Sequence, residues 1–208
     1  MILIGQYDSP FVRRVGLALT VYGLPFEHKP WSAFADAALL RAYNPLARVP
    51  TLVLDDGGML TDSHVILSYL DGLVPAVKAL MPPAEPARRR AHTVVGLACA
   101  TADAAVSLFY ELRLHDKASD MLVSRRSGQI AGALAALEAE EAGRSGDFLF
   151  EDRLTHADIA VAAACRFVSE AHASLAAMAD FPRLADHCAR LEASALFQAV
   201  SQPFIPPS

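Results

Sequence analysis

The sequence has 208 residues, of which 53% are hydrophobic, and it carries a formal net charge of −5. A chain of this length and apolar content buries a sizeable core, so we expect a globular protein of one or two domains. The basic runs Arg88–Arg90 and Arg125–Arg126 are short and isolated, which disfavours nucleic acid as a partner. The longest apolar run after the first strand, Ile159–Cys165, is far too short to span a bilayer. We therefore expect a cytoplasmic protein without a membrane partner.

The cysteines and histidines predict neither a metal centre nor a redox pair. Cys99, Cys165 and Cys188 are widely spaced within apolar helical patterns, as buried thiols in a reducing compartment are. The histidines lack metal-ligand spacing, at positions 28, 64, 92, 115, 156, 172 and 187. We assign no metal.

The first 43 residues predict two strands and two helices. Ile2–Ile4 reads as a short buried strand, and Phe11–Tyr22 as a helix with apolar side chains along one face. Pro10 suits the first turn of that helix. Phe26–Lys29 is a plausible second strand, and Ala35–Tyr43 a short helix.

A proline-led β-hairpin follows. Arg48, Val49 and Pro50 precede the apolar run Thr51–Leu54, which turns at two aspartates and two glycines and returns as Met59–Thr61. X-Pro bonds adopt the cis form at moderate cost, and a cis Val49–Pro50 bond would turn the Val49 N–H and carbonyl groups away from the sheet. A peptide ligand can pair with such groups.

The hairpin ends in Asp62 and Ser63, where a helical pattern begins. Acidic and hydroxyl side chains at this position cap a helix, and a helix N-terminus also binds anions. The order β-α-β-α-β-β-α with a proline-led third strand matches a thioredoxin-like domain, which we assign to residues 1–76.

The remainder of the chain is predicted to be an all-helical domain. Residues 77–84 lie in a proline-containing stretch that is typical of a linker, and the helical domain covers residues 85–208. Within it, Thr155 and Asp158 are three residues apart and are flanked by Leu154 and Ile159. This spacing predicts a capping box with a hydrophobic staple, a structural feature.

These motifs together resemble the glutathione transferase family. The resemblance covers nearly the whole chain, because the hairpin resembles the family's glutathione site and the capping box resembles one in its C-terminal domain. It implies the glutathione transferase fold, a thioredoxin-like domain followed by a helical bundle. It also implies that the Val49 backbone pairs with the cysteinyl unit of glutathione and that Asp62 and Ser63 hold the γ-glutamyl end. Arg48 would lie near the glycyl end, or else be a solvated loop charge. Asp62 departs from the usual Glu, and its shorter carboxylate would reach the ligand's ammonium through water.

The stretch from Ser9 to Val15, SPFVRRV, resembles the active-site start of the serine-type classes, such as tau and zeta, and of their bacterial relatives. The chemistry needs a thiolate at neutral pH, whereas an unperturbed cysteine has a pKa of about 8.5. A hydroxyl at a helix N-terminus stabilises that thiolate by a hydrogen bond and by the helix dipole. Ser9 would therefore be the catalytic residue, unless it only caps the helix. The alternative is Tyr7, because other classes use a tyrosine hydroxyl, although Tyr7 also suits a pocket wall or a core ring.

The resemblance also suggests where a second substrate and a second subunit would lie. The electrophile would contact Tyr7, Phe11 and the first long helix of the C-terminal half, where Tyr110 and Arg113 are candidates or simply helix surface. The family forms C2 homodimers. Asp103 would then reach the partner's ligand, or else be an ordinary charged helix position.

We therefore interpret the sequence as a detoxifying transferase that joins glutathione, as co-substrate, to a small hydrophobic electrophile. One alternative is a glutathione-dependent isomerase of the zeta type, which usually carries an SSCxW motif where this chain has Pro10 and Phe11. Another is a non-catalytic family member that binds glutathione as a regulatory module.

Overall fold

The computed structural model describes residues 1–150, 152–173 and 178–206. The chain forms two compact units. Unit 1 comprises Met1–Pro83 together with the C-terminal residues from Ser194 onward, and unit 2 comprises Ala84–Ala193.

Unit 1 is built on a four-stranded mixed sheet. The strands are β1 (Ile2–Ile4), β2 (Glu27–Lys29), β3 (Thr51–Val53) and β4 (Met59–Thr61), in the spatial order β2-β1-β3-β4. β1 pairs in parallel with β2 and antiparallel with β3, and β3 pairs antiparallel with β4. The parallel pair requires a crossover, which the first helix supplies. The predicted thioredoxin-like topology is confirmed.

Three helices of unit 1 precede its linker to unit 2. They are α1 (Pro10–Tyr22), α2 (Ala37–Arg41) and α3 (Ser63–Asp71). α1 ends at Gly23, whose φ of 65° is the left-handed conformation that glycine adopts without a steric cost. α2 is shorter than the predicted Ala35–Tyr43, because Ser32 and Asp36 form a turn before it. The Asp36 carboxylate accepts the Ser32 N–H at 2.8 Å, and this local bond competes with the helix.

Unit 2 is helical, as predicted. Its helices are α4 (Ala87–Leu114), α5 (Asp120–Glu141), α6 (His156–Ala171) and α7 (Pro182–Glu192), with a short 3₁₀ helix at Met178–Asp180. α4 packs against both α5 and α6. By length and composition α4 is apolar enough to cross a membrane, but more than half of its apolar stretch is buried inside the protein. This burial is typical of the core helix of a soluble protein.

The predicted capping box lies at the centre of unit 2. Asp158 is fully buried, and its Oδ2 accepts the Thr155 N–H at 2.8 Å and the Thr155 hydroxyl at 2.6 Å. Its Oδ1 accepts the Leu149 N–H at 2.8 Å and lies 3.3 Å from Nε2 of the buried His187. The carboxylate therefore joins the start of α6 to the preceding loop and to α7.

The last residues belong to unit 1, whereas the sequence predicted a C-terminal domain that extends through residue 208. A final helix, α8 (Ala195–Ala199), begins this return. Arg13, buried on α1, donates from Nε to the Val200 carbonyl at 2.9 Å and from Nη2 to the Phe197 carbonyl at 3.2 Å. Its guanidinium also lies over the Phe197 ring, 5.5 Å from the centroid. These contacts explain why α8 leaves the helical unit.

Candidate functional site

Ser9 lies at the N-terminus of α1, half-buried, immediately before Pro10. Its Oγ accepts the Val12 N–H at 3.4 Å, so the side chain caps the helix through its oxygen. Its backbone N–H donates to the Gln6 carbonyl at 3.1 Å. Within the part of the chain that the structure describes, the Ser9 hydroxyl hydrogen has no acceptor. The hydroxyl can therefore cap α1 and donate to a ligand at the same time.

Tyr7 is a buried ring of unit 1. It stacks on His28, with ring centroids 3.9 Å apart and planes inclined by 14°. It also lies across Gly16 of α1, where a β-carbon would come within 2.7 Å of Tyr7 Cε1. Burial raises the pKa of Tyr7 to about 12. This environment supports the core-ring interpretation, because it makes the phenol a weaker acid than an exposed tyrosine.

His28 is the second member of this stack. Its Nε2 lies 2.7 Å from the Gly5 carbonyl. Burial lowers the pKa of His28, and the bond to the Gly5 carbonyl opposes this effect in part. At neutral pH the lowered pKa favours an uncharged His28 ring. This ring contacts the loop between β1 and α1 through the Gly5 carbonyl and the Tyr7 ring.

The Val49–Pro50 bond is cis. β3 begins after it, at Thr51, and no hydrogen bond engages the N–H or carbonyl of Val49 within the described residues. The Val49 side chain lies against Gly5, where a β-carbon would be 2.8 Å from Val49 Cβ and 2.5 Å from Val12 Cγ2. Gly5 has a φ of 133°, so a side chain there would be strained as well as crowded. Gly5 thus brings the Val49 loop and the start of α1 together.

A buried asparagine shapes the loop that carries Arg48 and Val49. Asn44 donates from Nδ2 to the Arg48 carbonyl at 3.2 Å and to Thr51 Oγ1 at 2.9 Å, and its Oδ1 accepts the Leu46 N–H at 3.0 Å. Asn44 is completely buried, whereas the Arg48 side chain is exposed. The amide therefore holds the backbone of the loop and leaves the Arg48 side chain in solvent.

The start of α3 is a polar site with a buried hydroxyl. Asp62 caps the helix by accepting the His64 N–H at 2.8 Å, and its φ of 71° is unusual for a residue with a side chain. Its carboxylate is exposed, while Ser63 is buried. Ser63 Oγ accepts a hydrogen bond from Nη1 of the buried Arg14 at 3.3 Å. The guanidinium adds positive charge to a helix N-terminus that already favours anions.

The structure places only some of the predicted site residues in one unit. Ser9, Val49, Asp62 and Ser63 all lie in unit 1 at the ends of its strands or the starts of its helices, and Arg14 and Gly5 link them. Sequence reasoning missed five residues that shape these positions, namely Gly5, Arg14, His28, Asn44 and Gln202, the last of which accepts the Tyr7 N–H at 2.8 Å. A buried arginine among the first residues of α1 leaves no local sequence signal, whereas an asparagine directly before a proline, as at Asn44 and Pro45, is typical of a turn.

The remaining candidates have more ordinary surroundings. Phe11 is half-buried on α1. Tyr110, Arg113 and Asp103 are exposed on α4 in unit 2. Arg113 lies over the Phe109 ring at 5.9 Å, which fits a helix-surface contact.

The three cysteines are buried, and none lies in unit 1. A hydrogen bond to Cys165 and burial raise the pKa of the Cys188 thiol well above its usual range. Both cysteines line a cavity of about 370 Å³ between α6 and α7. Among the described residues, no group of three or more His, Cys, Asp or Glu side chains is placed to hold a metal.

Comparisons with known proteins agree with this geometry. The model of the glutathione S-transferase N-terminal domain matches residues 3–78, and that of the C-terminal domain matches residues 120–190. An uncharacterised GST-like protein of Escherichia coli, YibF, is 32% identical over 142 residues, which cover 66% of this chain and 68% of YibF.

Two further relatives bear on ligand and activity. A probable maleylacetoacetate isomerase of Caenorhabditis elegans is 28% identical over 163 residues, covering 77% of this chain and 75% of the relative. The crystal structure of a glutathione S-transferase of Methylobacterium radiotolerans, in complex with glutathione sulfonate, superposes with a TM-score of 0.88 and 31% identity. It covers 100% of this chain and 98% of the other.

Proposed function

This chain belongs to the glutathione S-transferase family, and we propose that it is an enzyme that transfers the glutathione thiolate to a small hydrophobic electrophile. Related structures hold glutathione or glutathione sulfonate, which supports glutathione as the co-substrate of this chain. In the proposed reaction the bound thiol releases its proton to solvent and sulfur forms a bond to an electrophilic carbon. A leaving group departs with the bonding pair, or an activated double bond takes up the proton.

The observation that carries the proposal is the donor capacity of Ser9. Its oxygen caps α1, while its hydrogen is not used by any acceptor within the described residues. A thiolate in front of α1 would receive this hydrogen bond and would face the positive end of the helix dipole. Both effects favour the charged form of the thiol and lower its pKa. Ser9 acts here as a stabiliser of charge and forms no covalent bond.

The other parts of the tripeptide find complementary groups in the same unit. Within the described residues nothing bonds to the N–H and carbonyl of Val49, so these groups can offer the two bonds that the cysteinyl backbone needs, in the manner of strand addition. The γ-glutamyl carboxylate would accept from the N-terminus of α3 and from the Ser63 hydroxyl, whose oxygen is held by Arg14. Asp62 supplies a carboxylate for the γ-glutamyl ammonium, and Arg48 a positive charge for the glycyl end.

A conjugation screen tests the proposal. Purified protein is incubated with glutathione and a panel of aryl halides, epoxides and activated alkenes, and product is measured by mass spectrometry. We expect glutathione adducts of at least one class at rates well above the uncatalysed reaction. Binding of glutathione without turnover of any electrophile would instead favour a regulatory family member.

The similarity to the nematode isomerase favours one second candidate, a glutathione-dependent cis–trans isomerisation. Pro10 and Phe11 stand where the zeta-type motif usually has serine and cysteine. Catalysed isomerisation of maleylacetoacetate together with an absence of conjugation would select this candidate.

We also propose that the protein acts in the cytoplasm, in detoxification, as a homodimer. Light scattering at micromolar concentration tests the dimer, because a monomeric mass excludes it.

A further inference from the structure

The C-terminal strap, which we define as residues 200–206, contacts the loop that carries Ser9. Gln202 Oε1 accepts the backbone N–H of Tyr7 at 2.8 Å. Three residues later, the backbone N–H of Ile205 donates to Asp8 Oδ2 at 3.0 Å. Each segment therefore offers one side-chain acceptor to a backbone donor of the other. The two bonds engage the two residues that immediately precede Ser9.

The start of the strap is fixed to α1, the helix that Ser9 caps. Arg13 donates to the carbonyls of Phe197 and Val200, and Val200 is buried. The Val200 and Tyr7 side chains meet at Gly16, where a β-carbon would be 2.9 Å from Val200 Cγ1 and 2.7 Å from Tyr7 Cε1. The strap therefore has a buried anchor at one end and two loop contacts beyond it.

The loop from Gly5 to Ser9 is also held by the bond from the Gly5 N–H to the Lys29 carbonyl at 2.9 Å and by the stacking of Tyr7 on His28. Its own backbone supplies the bond from Ser9 N–H to the Gln6 carbonyl, and His28 holds the Gly5 carbonyl. The Tyr7 N–H lies between these two points and depends on Gln202 for its partner. Without that acceptor the half-buried N–H must turn toward water, and the Gln6–Tyr7 peptide plane that carries it turns with it. A displacement of about 1 Å at a reacting group costs on the order of a hundredfold in rate.

We propose that the strap sets the position of the Ser9 hydroxyl, with Gln202 and Asp8 as positioning residues for the thiolate. This inference rests on the proposed function, because it assigns a task to Ser9 in that reaction. Gln202 bonds to the loop and Asp8 bonds to the strap, so in this proposal both act on the thiolate through Ser9. Their effect is to keep the Ser9 hydroxyl pointed toward the position of the glutathione sulfur.

Paired substitutions of Gln202 test the proposal. Gln202→Leu removes the acceptor with little change in size, whereas Gln202→Glu keeps an oxygen acceptor for the Tyr7 N–H. We expect Gln202→Leu to lower kcat about ten- to a hundredfold and to raise the pKa of the bound thiol, with the glutathione Kd within about twofold. Gln202→Glu should retain most of the activity. Gln198→Leu, at an exposed position of α8, is the matched control and should behave as wild type.

Asp8 provides an independent pair in case the leucine variant does not fold. Asp8→Ala removes the acceptor for the Ile205 N–H, and Asp8→Asn keeps one. The same rise in thiol pKa is expected for the alanine variant, with recovery in the asparagine variant. Folding of every variant is checked by thermal unfolding.

The outcomes separate this inference from the proposed function. If Ser9→Ala raises the thiol pKa while Gln202→Leu and Asp8→Ala leave it unchanged, the strap has no positioning role. If Ser9→Ala itself leaves the thiol pKa unchanged, the catalytic assignment fails, and the strap inference fails with it.

Discussion

The guanidinium of Arg14 on α1 donates a hydrogen bond from Nη1 to the hydroxyl oxygen of Ser63, the first residue of α3, at 3.3 Å. Both side chains are buried. Because Arg14 occupies the oxygen, the Ser63 hydrogen is directed to another acceptor. A ligand carboxylate at the start of α3 would therefore meet a hydroxyl donor, helix N–H groups and a nearby positive charge.

A double-mutant cycle tests this relationship. We expect Arg14→Met and Ser63→Ala each to weaken glutathione binding about ten- to a hundredfold, since hydrogen bonds to charged groups contribute about 1.5 to 3 kcal/mol. The double variant should lose less binding free energy than the sum of the losses in the two single variants, because both substitutions remove the same Arg14–Ser63 hydrogen bond. Calorimetric titration measures the glutathione affinity of all four proteins, with Arg41→Met at an exposed position of α2 as the control. Unchanged affinity in both single variants, and in Asp62→Ala, would mean that this site is misplaced.

Asn44 offers a test of the loop that presents Val49. Asn44→Ala removes the amide that donates to Thr51 Oγ1, Thr61 Oγ1 and the Arg48 carbonyl, although the Arg48 carbonyl keeps its bond from the Thr51 hydroxyl at 2.7 Å. We expect the free energy of unfolding to fall by about 2 to 3 kcal/mol and glutathione binding to weaken. Urea denaturation and calorimetry check the two effects, with the exposed Gln129→Ala on α5 as the control. A variant with reduced stability but unchanged glutathione affinity would show that Asn44 has no influence on the ligand loop.

Tyr7 should keep its proton far above neutral pH. Burial raises its pKa to about 12, from an unperturbed value of 10. The folded state therefore holds a proton that the unfolded state loses above pH 10, so this group's contribution to stability falls as the pH rises from 10 toward 12. In Tyr7→Phe the free energy of unfolding should fall less steeply between pH 10 and pH 12. The phenolate absorbance difference between wild type and Tyr7→Phe should appear near pH 12, and its appearance near pH 10 would contradict the buried stack on His28.

The Asp158 carboxylate should be essential to the stability of unit 2. Asp158→Ala removes the buried acceptor of the Thr155 hydroxyl and of the Leu149 N–H, and it removes the carboxylate nearest to His187 Nε2, which among the described residues keeps only Glu141 at 3.7 Å. We expect a loss of about 3 to 5 kcal/mol in the free energy of unfolding, because one member of a buried polar network is removed. Chemical denaturation measures the loss against the exposed control Asp116→Ala. Equal stability of the two variants would refute the structural role.

Local signals made the fold and part of the site predictable. The serine before Pro10, the proline-led hairpin and the Thr155–Asp158 spacing each depend on a few neighbouring residues, so their geometry follows from short-range chemistry. The structure accordingly has the cis bond before Pro50 and the cap at Ser9. The parallel pairing of β1 with β2 also agrees with the local pattern, because a helix between two strands provides the crossover that parallel neighbours need.

Contacts between distant residues were not predictable. Arg13 meets the Val200 carbonyl across 187 positions, and the Tyr7 N–H meets Gln202 across 195. No local pattern marks such partners, since they are set by how helices and termini pack. For the same reason the sequence assigned the last residues to the helical domain. The shortening of α2 had a local cause, the Ser32–Asp36 turn, but its polar residues also suit a helix start.

The measurement that tests the central assignment most directly is the pKa of the glutathione thiol in the binary complex of Ser9→Ala. It is obtained from the ultraviolet absorbance of the thiolate as a function of pH. If Ser9 stabilises the thiolate, the pKa should rise toward the free value and kcat should fall by one to several powers of ten, because a preorganised donor to a developing anion contributes about 3 to 4 kcal/mol. Glutathione affinity should change much less. A thiol pKa that is unchanged in Ser9→Ala but raised in Tyr7→Phe would contradict the assignment and move the catalytic role to Tyr7.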